Sequence, residues 1–288
     1  MVPRTSADLH GLCVSYQCVG VMGLPRDIIE DIVYFHRKDT RTLKACSLTC
    51  RALFSAVRGL IHGRVRLSKW RNYPPCKLVD RIAAKVLRGK SATDWHEAHT
   101  RYLSTTGKYG LLGHTRDFYI DIGQGFPPET LEAYLPHFRY LTQVHTLRIS
   151  GGFDVARFLP NFERYFSQFV PTLRSLHLPY VMGGVHEVLE FICKFPHLDN
   201  LSFSPSASHY VEVPPRVSVD DSPPLRGKLV LRGWASIPAR FLLKIPGGLH
   251  FRLVNLGGVD KAELNGILFA CSSNLEVFCF RPRSRKST

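Results

Sequence analysis

The chain has 288 residues, 44% of them hydrophobic, which is enough to bury one elongated domain plus a small module. Its 38 Lys and Arg against 23 Asp and Glu leave a net charge of +15, but the cations are scattered, whereas a dedicated nucleic-acid footprint gathers them into one stripe. Eight dispersed cysteines, no secretory leader pattern and no apolar run near the roughly 18 residues of a membrane span point to a soluble intracellular protein, cytoplasmic or nuclear, without a disulfide framework.

Residues 1–22 read as an extension and 23–70 as a helical module. Leu24-Pro25 opens an amphipathic helix: proline suits the entry, Asp27 and Glu30 favour its positive end, and Ile28, Ile29, Ile32 and Val33 form one stripe. Thr40 or Thr42 is placed to cap the next helix, which carries Leu43, Cys46, Leu48, Cys50, Leu53 and Phe54 on apolar faces. Helices this short cannot bury their apolar faces against each other alone, so the ridge of Leu24, Ile28, Ile32, Leu48 and Cys50 is expected to be completed by a partner. The densest basic run, Arg58 to Arg71, follows, and Pro74-Pro75 marks a boundary. Residues 71–113 read as a helical connector, with Leu78, Ile82 and Val86 at helical spacing and Gly107, Gly110 and Gly113 loosening its end.

From 114 to 280 the chain repeats itself imperfectly. Short apolar strands recur at Phe118–Ile120, Leu147–Ile149, Leu176–Leu178, Leu201–Phe203, Leu229–Leu231, Phe251–Leu253 and Phe278–Phe280, at intervals of 22 to 29 residues. Helix-period stripes lie between several of them: Phe158, Leu159, Phe162 and Phe166; Val185, Val188, Leu189 and Ile192; Leu264, Ile267, Leu268 and Cys271. The last is entered by Asp260-Lys261-Ala262-Glu263, which has the form of a capping box. Strand and helix alternating at this period predict an α/β chain with a parallel sheet covered by helices on one face. The proline- and serine-rich stretch 204–227 interrupts the array, and residues 281–288 form a basic tail.

Two segments carry a family resemblance. Leu24-Pro25-Arg26-Asp27-Ile28-Ile29-Glu30-Asp31-Ile32 and Leu43-Lys44-Ala45-Cys46-Ser47-Leu48-Thr49-Cys50-Arg51-Ala52-Leu53-Phe54 resemble the two conserved-type helices of the F-box, and the whole chain is similar to F-box proteins with degenerate leucine-rich repeats, as frequent among fungi. Asp27 replaces the usual glutamate, Thr49 the common valine and Leu53 the frequent tryptophan. The resemblance implies a short three-helix F-box followed by an irregular leucine-rich-repeat-like solenoid. It also implies a non-catalytic role as substrate adaptor of a Skp–cullin–F-box ubiquitin ligase. Leu24, Pro25, Ile28, Ile29, Ile32, Leu43, Leu48, Cys50 and Arg51 would then contact the Skp adaptor, with Pro25 fixing the entry and Arg51 at the rim. The alternatives are a leucine-rich-repeat scaffold outside any ligase and, less favoured, a basic nucleic-acid binder.

Strand alternation turns Thr146, Arg148, Ser150, Ser175, His177, Asn200, Ser202, Lys228, Arg232, His250, Arg252 and Arg281 to the uncovered face. Arg148, His177, Lys228, Arg232 and Arg252 are the candidate protein-substrate residues, and their charge favours an acidic or phosphorylated ligand. A solvated face without a ligand is the bland alternative. Catalytic motifs are missing: His96-Glu97-Ala98-His99 has one residue too few for a zinc-protease helix and reads as a surface pair. Cys46 and Cys50 lack a second ligand pair, so no metal or cofactor is expected.

Overall fold

The computed structural model describes residues 26–37, 39–49, 51–68, 92–121, 128–151, 153–182, 184–205, 224–232, 236–245 and 247–281. The extension 1–22, connector residues 71–91 with Leu78, Ile82 and Val86, the loop 206–223 and the tail from 282 lie outside them. Two compact units divide the chain, 1–60 and 61–288.

The first unit holds three packed helices, α1 (Arg26–Phe35), α2 (Thr40–Thr49) and most of α3 (Arg51–His62). Ile29, Val33, Leu43, Leu53 and Val57 are its buried apolar residues. The cap of α2 is Asp39, neither Thr40 nor Thr42. Its carboxylate accepts the Arg41 and Thr42 backbone N–H groups and, at 2.7 Å, the Thr42 hydroxyl. Those bonds, the Thr42 hydroxyl foremost, hold the Asp39 carboxyl below the usual carboxylate range.

In the second unit the strands lie in chain order and every pair is parallel. They are β1 (Arg64–Ser68), β2 (Asp117–Asp121), β3 (Thr146–Ser150), β5 (Ser175–Met182), β6 (Asn200–Pro205), β7 (Leu225–Leu231), β8 (Leu249–Gly257) and β9 (Val277–Arg281), with the two-residue β4 (Phe153–Asp154) pairing β5 beside β3. All seven expected strands are present. Val65-Arg66-Leu67, inside the span 23–70 read above as a helical module, is instead part of the first strand of this sheet.

Connections run through α4 (Ala92–Lys108), α5 (Pro128–Tyr134), α6 (Val155–Phe158), α7 (Phe162–Tyr165), α8 (Val185–Cys193), α9 (Ser236–Leu242) and α10 (Lys261–Cys271). The stripe around 158–166 is not one helix. Pro160 lacks the N–H a continuous helix needs, so α6 and α7 are separated by a 3-10 turn, Leu159–Asn161. The phenylalanines still reach the core: Phe162 and Phe166 meet Phe191 of α8 edge to face, with centroids 5.6 and 5.3 Å apart. The capping box at α10 is also corrected. Asp260 makes no side-chain cap bond, and Glu263 turns away to an ion pair with Arg240 of α9. Joining α9 to α10 offsets more of the cost of burying that carboxylate than a solvent-facing cap would.

Candidate functional site

The first unit divides its apolar residues between interior and exposed positions. Ile29 and Leu43, expected at an interface, are interior. Ile28, Ile32 and Phe35 recur at i, i+4 and i+7 and are 42, 42 and 80% exposed, while Leu48 of α2 is 87% exposed. Leu24, Pro25 and Cys50 lie outside the described residues; Arg51 opens α3. Tyr34 and Phe35 escaped the sequence reading, although Phe35 continues the stripe of Ile28 and Ile32. Arg37 covers the Tyr34 ring at 4.2 Å.

In the second unit, Leu147, Ile149, Leu176, Leu178, Leu201, Phe203, Leu229 and Leu231 are buried in the core, and the alternate side chains face solvent. Register then lays out three rows across that open face. The first runs Thr146, Ser175, Asn200, Lys228; the second runs Arg148, His177, Ser202, Val230. A third joins Pro179 to Ser204, whose hydroxyl donates to the Arg232 carbonyl at 3.0 Å. Together they shape a concavity of about 270 Å³ lined by Arg148, His177, Asn200, Ser202, Lys228 and Arg232, among others.

Four of the five expected substrate residues are thus brought together, and Arg252 is not. Gly227 pairs with Phe251 and Lys228 with Leu253, so β8 carries one extra residue at Arg252. The bulge also moves Leu253, expected inward, onto the open side and leaves Val254 and Leu256 in the core. Arg252 ion-pairs with Glu276 at 3.7 Å. His177 bonds the Ser175 hydroxyl through Nε2 at 3.0 Å. Burial, then the Arg148 and Lys228 charges, hold the imidazole below its ordinary pKa, so it is predominantly neutral near pH 7. Asn200 Oδ1 is buried and without a hydrogen-bond partner.

His96 and His99 are not a surface pair. His99 is 1% exposed, and both imidazoles reach the Tyr134 hydroxyl of α5, at 3.2 and 3.3 Å. Burial, with a smaller push from His96, lowers His99 to about 4. Among the described residues no three His, Cys, Asp or Glu side chains gather as metal ligands, and no helix is long and apolar enough to cross a membrane.

The arrangement defines an α/β chain with a cationic concavity on an all-parallel sheet, preceded by helices that expose an apolar stripe. No protein-family model, curated protein or solved structure matches it.

Proposed function

We propose that the protein is a substrate-recognition adaptor of a Skp–cullin–F-box ubiquitin ligase, without chemistry of its own. The amino-terminal helices dock the Skp adaptor, and the open sheet face holds a protein client. The single observation that carries this reading is the exposure of Ile28, Ile32, Phe35 and Leu48 on a unit of three short helices. A solitary exposed leucine means little, but apolar residues lined along one helix face, with Leu48 exposed on the next helix, are what a docking surface requires. Each aliphatic side chain fully covered by a partner contributes about 1.5–3 kcal/mol, so a few suffice to anchor a complex. Ile29 and Leu43 are interior to the same unit. The F-box resemblance of residues 24–54 supplies the partner's identity.

Capture of the purified Skp adaptor on immobilised full-length protein tests the reading. Wild type retains the adaptor, and Ile32→Asp with Leu48→Asp releases it while leaving the helical circular dichroism unchanged. Failure of the wild type to capture the adaptor would remove the ligase assignment and leave an interaction scaffold.

A further inference from the structure

The open-face concavity is lined by cations and neutral polar groups. Lys228 on β7 and Arg232 just past its end stand two residues either side of Val230, which is 6% exposed. Arg148 faces them from β3, three strand spacings or about 14 Å away. Between lie the hydroxyls of Ser202 and Ser204, the Asn200 amide and the His177 imidazole. No carboxylate lines the concavity among the described residues; on β2, Asp117 is engaged by Arg64 at 3.2 Å. Three cations surround neutral polar groups with nothing anionic between them among the described residues, over a floor that includes Val230. Such a cluster repels itself until an anion enters, and long Arg and Lys side chains can close on one from both sides.

We propose that this concavity binds an oxyanion group carried on a peptide, of the phosphoryl or carboxylate class, and that His177 takes up a proton as the anion enters. The proposal deepens the reading of the sheet face as the client surface. Peptide is favoured over a free anion because the concavity, about 270 Å³ with Val230 and the Ser202 and Ser204 hydroxyls in its lining, offers contacts that a lone oxyanion leaves unused. The proton follows from electrostatics. Among the described residues, the charged groups lining the concavity with His177 are all cations, Arg148 on β3, Lys228 on β7 and Arg232 just after it, while the Ser175 hydroxyl bonds its Nε2 and the Ser202 hydroxyl of β6 lies alongside. An anion at van der Waals distance reverses that field and favours imidazolium. By linkage, proton uptake on binding requires affinity to rise as pH falls.

Calorimetry of the full chain with sodium sulfate tests the site, because sulfate keeps its charge throughout the titration range. Affinity should rise by at least about fivefold from pH 7.5 to 5.5, with proton uptake seen as a dependence of the heat on buffer. Arg148→Gln and Lys228→Gln should each weaken binding about tenfold, the equivalent of one charge-assisted hydrogen bond. Arg252→Gln, outside the concavity, should change nothing, and His177→Gln should keep binding but lose its pH dependence. A serine peptide compared with its phosphoserine and glutamate forms distinguishes the two sources of the oxyanion, and the unmodified peptide should be the weakest. Sulfate binding weakened equally by Arg252→Gln, or an oligonucleotide held without regard to the four groove residues, would mean general charge attraction and overturn the proposal. So would pH dependence surviving in His177→Gln. Skp capture by the same variants should remain intact, so loss of the anion site and loss of the adaptor reading are separate results.

Discussion

A β-carbon on residue 227 has nowhere to go. Gly227 sits at φ 81°, and a side chain there would collide with the backbone carbonyl of Asp199, the group that accepts the Lys228 N–H at 2.8 Å. Gly248 has a similar φ of 73°, but a β-carbon there would make only an ordinary van der Waals contact with the His250 ring, at 3.5 Å. The two therefore separate backbone strain from steric collision. Gly248→Ala should cost about 1–2 kcal/mol, the strain of a left-handed residue, and Gly227→Ala distinctly more because β6 and β7 must part. Urea unfolding measures both; equal losses would mean the strand contact yields freely. A second residue-scale expectation concerns His99. Its folded pKa of about 4 lies below the unfolded value of 6.5, so the unfolded chain takes up the proton first as pH falls. The stability that His99 contributes is whole above about pH 6.5 and is lost as pH drops through 4, a change of about 3 kcal/mol. Burial lowers His137 and His177 in the same direction. Unfolding followed from pH 7 to 4 should show this slope in the wild type and a flatter one in His99→Leu; parallel curves would remove His99 as its source.

At the scale of the element, the helices of the first unit divide their apolar residues by function. Leu43 is 3% exposed and Leu48 87%, five residues later on the same helix. Leu43→Asp would bury an unpaired carboxylate and should unfold the unit, whereas Leu48→Asp should leave its melting unchanged within about 0.5 kcal/mol. Thermal denaturation followed by helical circular dichroism decides between them, and equal melting would contradict the assigned helix faces. The same elements show what was legible beforehand. Seven of the nine strands were, because Leu-x-Leu alternation against a covered face is a period-2 signal that parallel pairing preserves. Helix α8 was, through Val188, Leu189 and Ile192. Helices α5 and α9 were not: each has seven residues, and Pro128 and Pro238 in their first turns read as breaks although proline is tolerated there. The candidate groove was partly legible, since alternation alone turned Arg148, His177, Lys228 and Arg232 outward. Arg252 failed because the extra residue in β8 is set by pairing with β7, which no local pattern reports. His96 and His99 failed similarly; their shared partner Tyr134 is 35 residues from His99.

Across the whole second unit, stability should follow position in the sheet. Strands β5, β6 and β7 are hydrogen-bonded on both sides, while among the described residues β9 pairs only with β8 and exposes every residue, including Phe278 and Phe280. Each strand in a stacked array is held by its neighbours, so opening should begin at the edge and spread inward. The proposed anion site spans β3 to β7, within the doubly paired strands, so its cations are mounted on backbone that opens last. Recognition would then rest on a preorganised groove, with only the long Arg and Lys side chains losing freedom when a ligand enters. Hydrogen exchange with mass-spectrometric detection should find β9 amides exchanging fastest, β8 slower and β5 to β7 slowest. Addition of sulfate should deepen protection in β5 to β7 and leave β9 unchanged. Protection of β9 equal to that of β6 would mean that another strand covers the edge, and the ordering by sheet position would fail.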